Sequence, residues 1–163
     1  MIDSPLLPAL GGYINGQWVM ADSGKTLPVT NPVDNSHLAD VASMGGAETE
    51  RAIAAAEAAF EQPADLDQRR HWLEAIADAL TTHREEIGRI LCMEHGKPLA
   101  EATGEADYAA GFFRYAAKNV HALAPRTLEE HPRDCTWTVH HRPAGVVGLV
   151  TPWNFPIGMI AKK

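Results

Sequence analysis

The sequence predicts an α/β protein: an N-terminal β-meander, a helical layer, a further strand and the opening strand of a parallel sheet. Three observations carry that expectation. Short extended runs flank an Asn15-Gly16 pair near the N-terminus. Between residues 47 and 120, apolar positions recur every three or four residues, the period of an amphipathic helix. Val146, Val147, Leu149 and Val150 then form one apolar run that ends at a Pro-Trp-Asn-Phe-Pro turn.

Residues 1–11 read as a loose arm, and 12–163 as one domain that is incomplete on its C-terminal side. Tyr13-Ile14 and Gln17-Trp18-Val19 enclose Asn-Gly, the strongest short hairpin signal. Thr26–Thr30 is a second extended stretch, Asn31-Pro32 a turn, and His37–Ser43 a third strand. Gly45-Gly46 breaks that strand, and the alanine-rich Ala47–Phe60 has high helix propensity. Asp67 is the expected N-cap of a helix from Gln68 to about Leu80, with Trp72, Ile76 and Leu80 as its buried face. Thr82 and Glu85 fit a capping box that opens a helix to about His95, burying Ile87, Ile90 and Leu91.

Gly96 stops that helix and Pro98 starts the longest one. Its stripe runs through Ala102, Ala106, Ala110, Phe113 and Ala117 and must meet another element. Gly104 and Gly111 inside it predict close helix–helix contact, which offsets the roughly 1 kcal/mol each costs against alanine. The nearby carboxylates Glu94, Glu101, Glu105 and Asp107 read as solvated helix faces. Ala124–Arg133 reads as a surface loop, and Cys135–Arg142 as a strand with Trp137, Val139 and His141 on one side.

The run Val146–Val150 suits a strand buried on both faces of a parallel sheet. Pro152 cannot join a ladder and ends it. Pro156 fits the first position of a helix. A junction of this kind, at the carboxyl end of a parallel strand, is where open α/β sheets bind ligands. Asn154 carries a neutral amide donor suited to a developing oxyanion, and one such donor is worth roughly 3 kcal/mol. Trp153 offers a flat apolar wall. The same residue types also fit an ordinary strand–turn–helix with a structural Asn and a core Trp.

Composition excludes several classes. The chain has 163 residues, 45% of them hydrophobic, and a net charge of −7. That balance, without a basic cluster, argues against a nucleic-acid partner. No run approaches the roughly 18 apolar residues of a membrane span. The N-terminus lacks the positive charge of a signal peptide. Two cysteines, Cys92 and Cys135, make no disulfide framework, so a cytoplasmic location is expected. His140 and His141 point to opposite faces of a strand and make a poor metal site, so no metal is expected.

The segments also resemble a known family. GVVGLVTPWNFP, Gly145 to Pro156, looks like a motif of the NAD(P)-dependent aldehyde dehydrogenases. Met93–Ala102 resembles that family's E-x-G-K-P-L-x-E-A segment, Tyr13–Trp18 its N-terminal hairpin, and Thr30-Asn31-Pro32 the turn after it. Met44–Thr49 and the GEADYAAGFFRYAA run are most similar to the succinate-semialdehyde dehydrogenase branch.

The resemblance implies the N-terminal part of an aldehyde dehydrogenase fold, its last strand being the first of a Rossmann-like sheet. It implies oxidation of an aldehyde to an acid by an oligomeric enzyme with NAD or NADP as cofactor. Thr151, Pro152, Trp153 and Asn154 would line the cofactor site, and Asn154 would be the oxyanion donor. The strand over Cys135–Arg142 would belong to an oligomerisation arm that pairs with a neighbouring subunit. In the family, the nucleophilic cysteine, the general-base glutamate and the glycine-rich cofactor turn follow this motif. The chain ends seven residues after it, so these residues alone are expected to be inactive, and neither Cys92 nor Cys135 is the nucleophile. The alternatives are a non-catalytic portion that docks on a complementary chain or aggregates, and a binding module that reuses the turn for another ligand.

Overall fold

A computed structural model describes residues 2–163. The first hairpin forms where local turn chemistry places it. Strands β1 (Gly12–Ile14) and β2 (Gln17–Val19) pair antiparallel across Asn15 and Gly16, whose φ angles are 49° and 77°. Both positive angles belong to the turn that Asn-Gly favours. β3 (Thr26–Thr30) pairs antiparallel with β4 (His37–Ala42), which buries Leu38 and Ala39. The two hairpins are separate ladders and do not join into one continuous meander.

The N-terminal arm is tied down along its length. The Ile2 N–H donates to the Leu38 carbonyl at 2.8 Å, and the Ala42 N–H to the Leu10 carbonyl at 2.8 Å. Arg89 donates to the Asp3 carbonyl at 2.6 Å and to Glu86 at 2.7 Å. The Arg89 bond, with help from Ser4, draws the Glu86 carboxyl down to about 2.

Helix α1 (Gly46–Phe60) opens on a buried acid. The Glu48 carboxylate accepts the N–H of Gly45, the N-cap residue, at 2.8 Å, and that of Asp22, in the loop after β2, at 2.7 Å. α2 (Leu66–Thr82) starts earlier than the sequence suggested. Asp65, not Asp67, caps it by accepting the Gln68 N–H at 2.7 Å. Asp67 lies inside the first turn. The expected capping box at Thr82 does not form, because Thr82 still belongs to α2 and His83 alone separates it from α3 (Arg84–His95). Gly96, at φ 77°, ends α3 as predicted.

The centre of the molecule is α4 (Leu99–Asn119), followed by one 3-10 turn at Val120–Leu123. α2 and α3 both lie against it. Its buried face is made of Ala102, Ala106, Ala109 and Ala110, so the neighbouring helices approach closely. The glycine at the tightest contact is neither Gly104 nor Gly111, which face open space on the outer side of α4. It is Gly88 of α3, where a Cβ would come within 2.8 Å of the Thr103 Cα. Gly88→Ala is therefore expected to overpack the α3–α4 contact and cost about 1–3 kcal/mol. Thermal melting would show it, and an unchanged Tm would mean that the helices can part freely.

The face of α2 is also more open than expected. Leu91 on α3 is buried, but Trp72 and Ile76 are half exposed and Ala77 takes the inner position. Ile76 and Leu80 border an apolar groove of about 550 Å³ together with Leu7, Ile90, Phe113 and Ile160.

The arm strand is short. β5 (Arg126–Thr127) pairs antiparallel with β6 (Thr138–Val139), so the expected strand over Cys135–Arg142 contracts to the two residues that find a partner. Residues 145–150 form no ladder, and Val150 is 97% exposed. A strand buried on both faces needs a neighbour on each side. No other described segment pairs with this one. It lies beside α1 across a cleft of about 750 Å³ bordered by Ile53, Phe60, Val146 and Val147. The chain then turns into α5 (Pro156–Lys162), with Pro156 in its first turn as expected. Among the described residues no helix is long and apolar enough to cross a membrane.

Candidate functional site

The turn Thr151–Phe155 is held from beneath by the connection between α3 and α4. Gly96 reverses the backbone and Pro98 starts the next helix, leaving Lys97 between them. The Lys97 ammonium forms an ion pair with Glu105 on α4. Glu105 is 3% exposed. Its other oxygen accepts the N–H of Ile157 at 2.9 Å and of Gly158 at 3.1 Å, in the first turn of α5. Negative charge is favourable where a helix presents unpaired N–H groups.

The same ammonium reaches the turn itself. Lys97 Nζ donates to the backbone carbonyl of Asn154 at 3.3 Å and lies 5.0 Å from the centre of the Phe155 ring. Tyr108 of α4 supports that ring at 6.2 Å and packs edge-on against Phe112 at 4.8 Å. One buried carboxylate thus joins α4, the Lys97 connection and α5 around the turn.

On the outer side, Trp153 stacks on His95 with centroids 5.8 Å apart and planes 29° from parallel. Both His95 ring nitrogens are buried without a hydrogen-bond partner. The other face of Trp153 is open, the residue being 79% exposed. The Asn154 side chain is exposed and makes no hydrogen bond to another described residue. The structure therefore brings Thr151, Pro152, Trp153 and Asn154 onto one anchored turn. A cleft of about 380 Å³ beside it is lined by His95, Lys97, Tyr108, Asn154 and Phe155.

Sequence reasoning missed Lys97, Glu105 and His95. Glu105 is not the solvated carboxylate it was expected to be. The signal was present: it falls on the buried stripe between Ala102 and Ala109, where an acid needs partners. The two thiols lie elsewhere, Cys92 partly buried on α3 and Cys135 exposed near β6. Among the described residues no group of three or more His, Cys, Asp or Glu could hold a metal ion.

The anchor has a pH signature. Burial alone would raise the Glu105 carboxyl, but Lys97 and the N–H groups of Gly158 and Ile157 outweigh it and hold it below its ordinary value. A carboxyl lowered on folding stabilises the protein above its unfolded value, near pH 4.3, and that stabilisation is lost as pH falls through the folded value. Glu105→Gln should accordingly be less stable than the parent near neutrality and converge with it as pH falls through the folded value of Glu105. Urea titrations at several pH values would measure this. A stability gap that does not vary with pH would sink it.

A helical layer carries an anchored Pro-Trp-Asn-Phe-Pro turn at its edge, and known proteins share its sequence and fold. The sequence pattern of the aldehyde dehydrogenase family matches residues 18–163, and the chain belongs to that family. It is 39% identical over 160 residues to a glutarate-semialdehyde dehydrogenase of Pseudomonas putida, covering 93% of this chain and 32% of that one. It is 40% identical to a mitochondrial succinate-semialdehyde dehydrogenase of Arabidopsis thaliana, covering 93% of this chain and 29% of that one. Among solved structures, an oxidoreductase from Marinobacter aquaeolei superposes with a TM-score of 0.93 at 56% identity, covering 99% of this chain and 34% of that one. An NADP dependent enzyme of E. coli superposes at 0.90 with 34% identity and the same coverage. The chain thus spans about a third of the length of these relatives and forms an N-terminal portion of their fold.

Proposed function

We propose that this chain is part of an enzyme that oxidises a semialdehyde to a carboxylic acid with NAD or NADP. The observation that carries the reading is the Asn154 backbone, anchored by Lys97 while its side-chain amide stays exposed. Anchoring the backbone lowers the reorganisation needed for that amide to meet the negative charge developing on an aldehyde oxygen. The relatives named above support a short aldehyde that carries a second, anionic group. Their names are those of four- and five-carbon semialdehyde enzymes.

The dinucleotide accepts the hydride when bound. The residues present fit one wall of its site: the open face of Trp153 presents a flat apolar surface, and Thr151 and Pro152 continue it. Asn154 is the oxyanion donor in this reading. The exposed β5–β6 ladder is the surface through which subunits would pair, and the unpaired thiols support a reducing, cytoplasmic setting. The test is nucleotide-dependent oxidation of succinate and glutarate semialdehydes by the complete protein, with and without Asn154→Ala. Equal turnover by parent and variant would remove Asn154 from the chemistry.

A further inference from the structure

Lys97 touches neither the open face of Trp153 nor the exposed amide of Asn154, yet it is joined to the turn by two contacts. Its ammonium donates to the Asn154 carbonyl at 3.3 Å and lies 5.0 Å from the Phe155 ring. The ammonium itself has little freedom, because the side chain is 11% exposed and paired with the buried Glu105. Glu105 in turn grips the backbone just past the turn, at Ile157 and Gly158. The turn is therefore held at Asn154 itself and just past it by one charge pair. A carbonyl fixed at residue 154 also fixes the direction in which the side chain of that residue leaves the backbone.

From this arrangement we infer that Lys97 is a positioning residue for the oxidation step, acting through Asn154 by fixing where its amide donor points. The inference rests on the reading of Asn154 given above. Lys97 supplies no proton and takes part in no bond that is made or broken. Its charge is matched to Glu105, and its reach to the turn sets the aim of a donor that must meet an oxygen within hydrogen-bond distance. Small displacements of such groups are expensive, with about 1 Å of misplacement costing up to about a hundredfold in rate.

A mutant cycle in the complete protein, expressed from its own gene, tests this. Asn154→Ala, Lys97→Met and the double variant would be compared for kcat, KM and Tm. Asn154→Ala is expected to lower kcat by about 10²–10³-fold. Lys97→Met is expected to lower it by about 10- to 100-fold with little change in KM. In the Asn154→Ala background, Lys97→Met should add nothing, because the donor it aims is gone. Lys97→Gln, neutral but still able to donate, should recover part of the rate, and it replaces Lys97→Met if that variant fails to fold.

A Lys97 effect that multiplies with that of Asn154→Ala, or a Lys97 variant with unaltered kcat, overturns the inference while leaving the role of Asn154 standing. An Asn154→Ala protein with full activity, or a parent without turnover, overturns both together.

Discussion

Asn154→Ala in the complete protein is expected to lower kcat by about 10²–10³-fold, with a much smaller effect on KM. The split follows from the proposed role of the amide as an oxyanion donor. A ground-state carbonyl carries little charge and gains little from one more donor, whereas the oxyanion formed on attack gains about 3 kcal/mol from it. The side chain is exposed on the turn and ties down nothing else among the described residues, so its removal should leave stability within about 0.5 kcal/mol. Steady-state kinetics together with a melting curve separate the two. A rise in KM with kcat preserved would mean that Asn154 only binds the substrate.

The largest effect on stability is expected at Glu105. Replacing it by alanine removes one member of a buried ion pair and leaves the Lys97 ammonium uncompensated, a change that costs about 3–5 kcal/mol. It also strands the N–H groups of Ile157 and Gly158, so α5 should fray from α4 in the same step. Glu105→Gln can still accept those N–H groups but turns its own amide donors toward Lys97, so it should recover only part of the loss. Denaturant titration measures both. A loss below about 1 kcal/mol for the alanine variant would mean that the pair is solvated in solution and holds nothing.

These two residues differ in how they could be read beforehand. Asn154 stood out because its whole setting is local: two prolines, an aromatic and the end of an apolar run lie within a few positions of it. The Asn15-Gly16 turn, the Gly96 stop and the Pro156 start were legible for the same reason, since each depends on the φ preference of a single residue. Asp65 and Asp67 could not be told apart, because both precede a helical pattern and only the position of one oxygen against the Gln68 N–H decides between them. Glu105 depends on Ile157, 52 residues away, and no local pattern announces a partner at that separation. Val146–Val150 was read correctly as apolar, but apolar character does not supply neighbouring strands.

That uncovered stretch has a meaning in time as well as in space. A chain leaves the ribosome at about 5–20 residues per second, N-terminal portion first. In proteins of which this chain spans about a third, the helices around α4 can close while most of the polypeptide is still unmade. Val146–Val150 then waits beside α1 with its backbone groups free, for seconds to tens of seconds on that scale. Gly145, at φ 126°, precedes the segment, and the Glu105 clamp holds the chain just past it. The flank between them stays open to another strand.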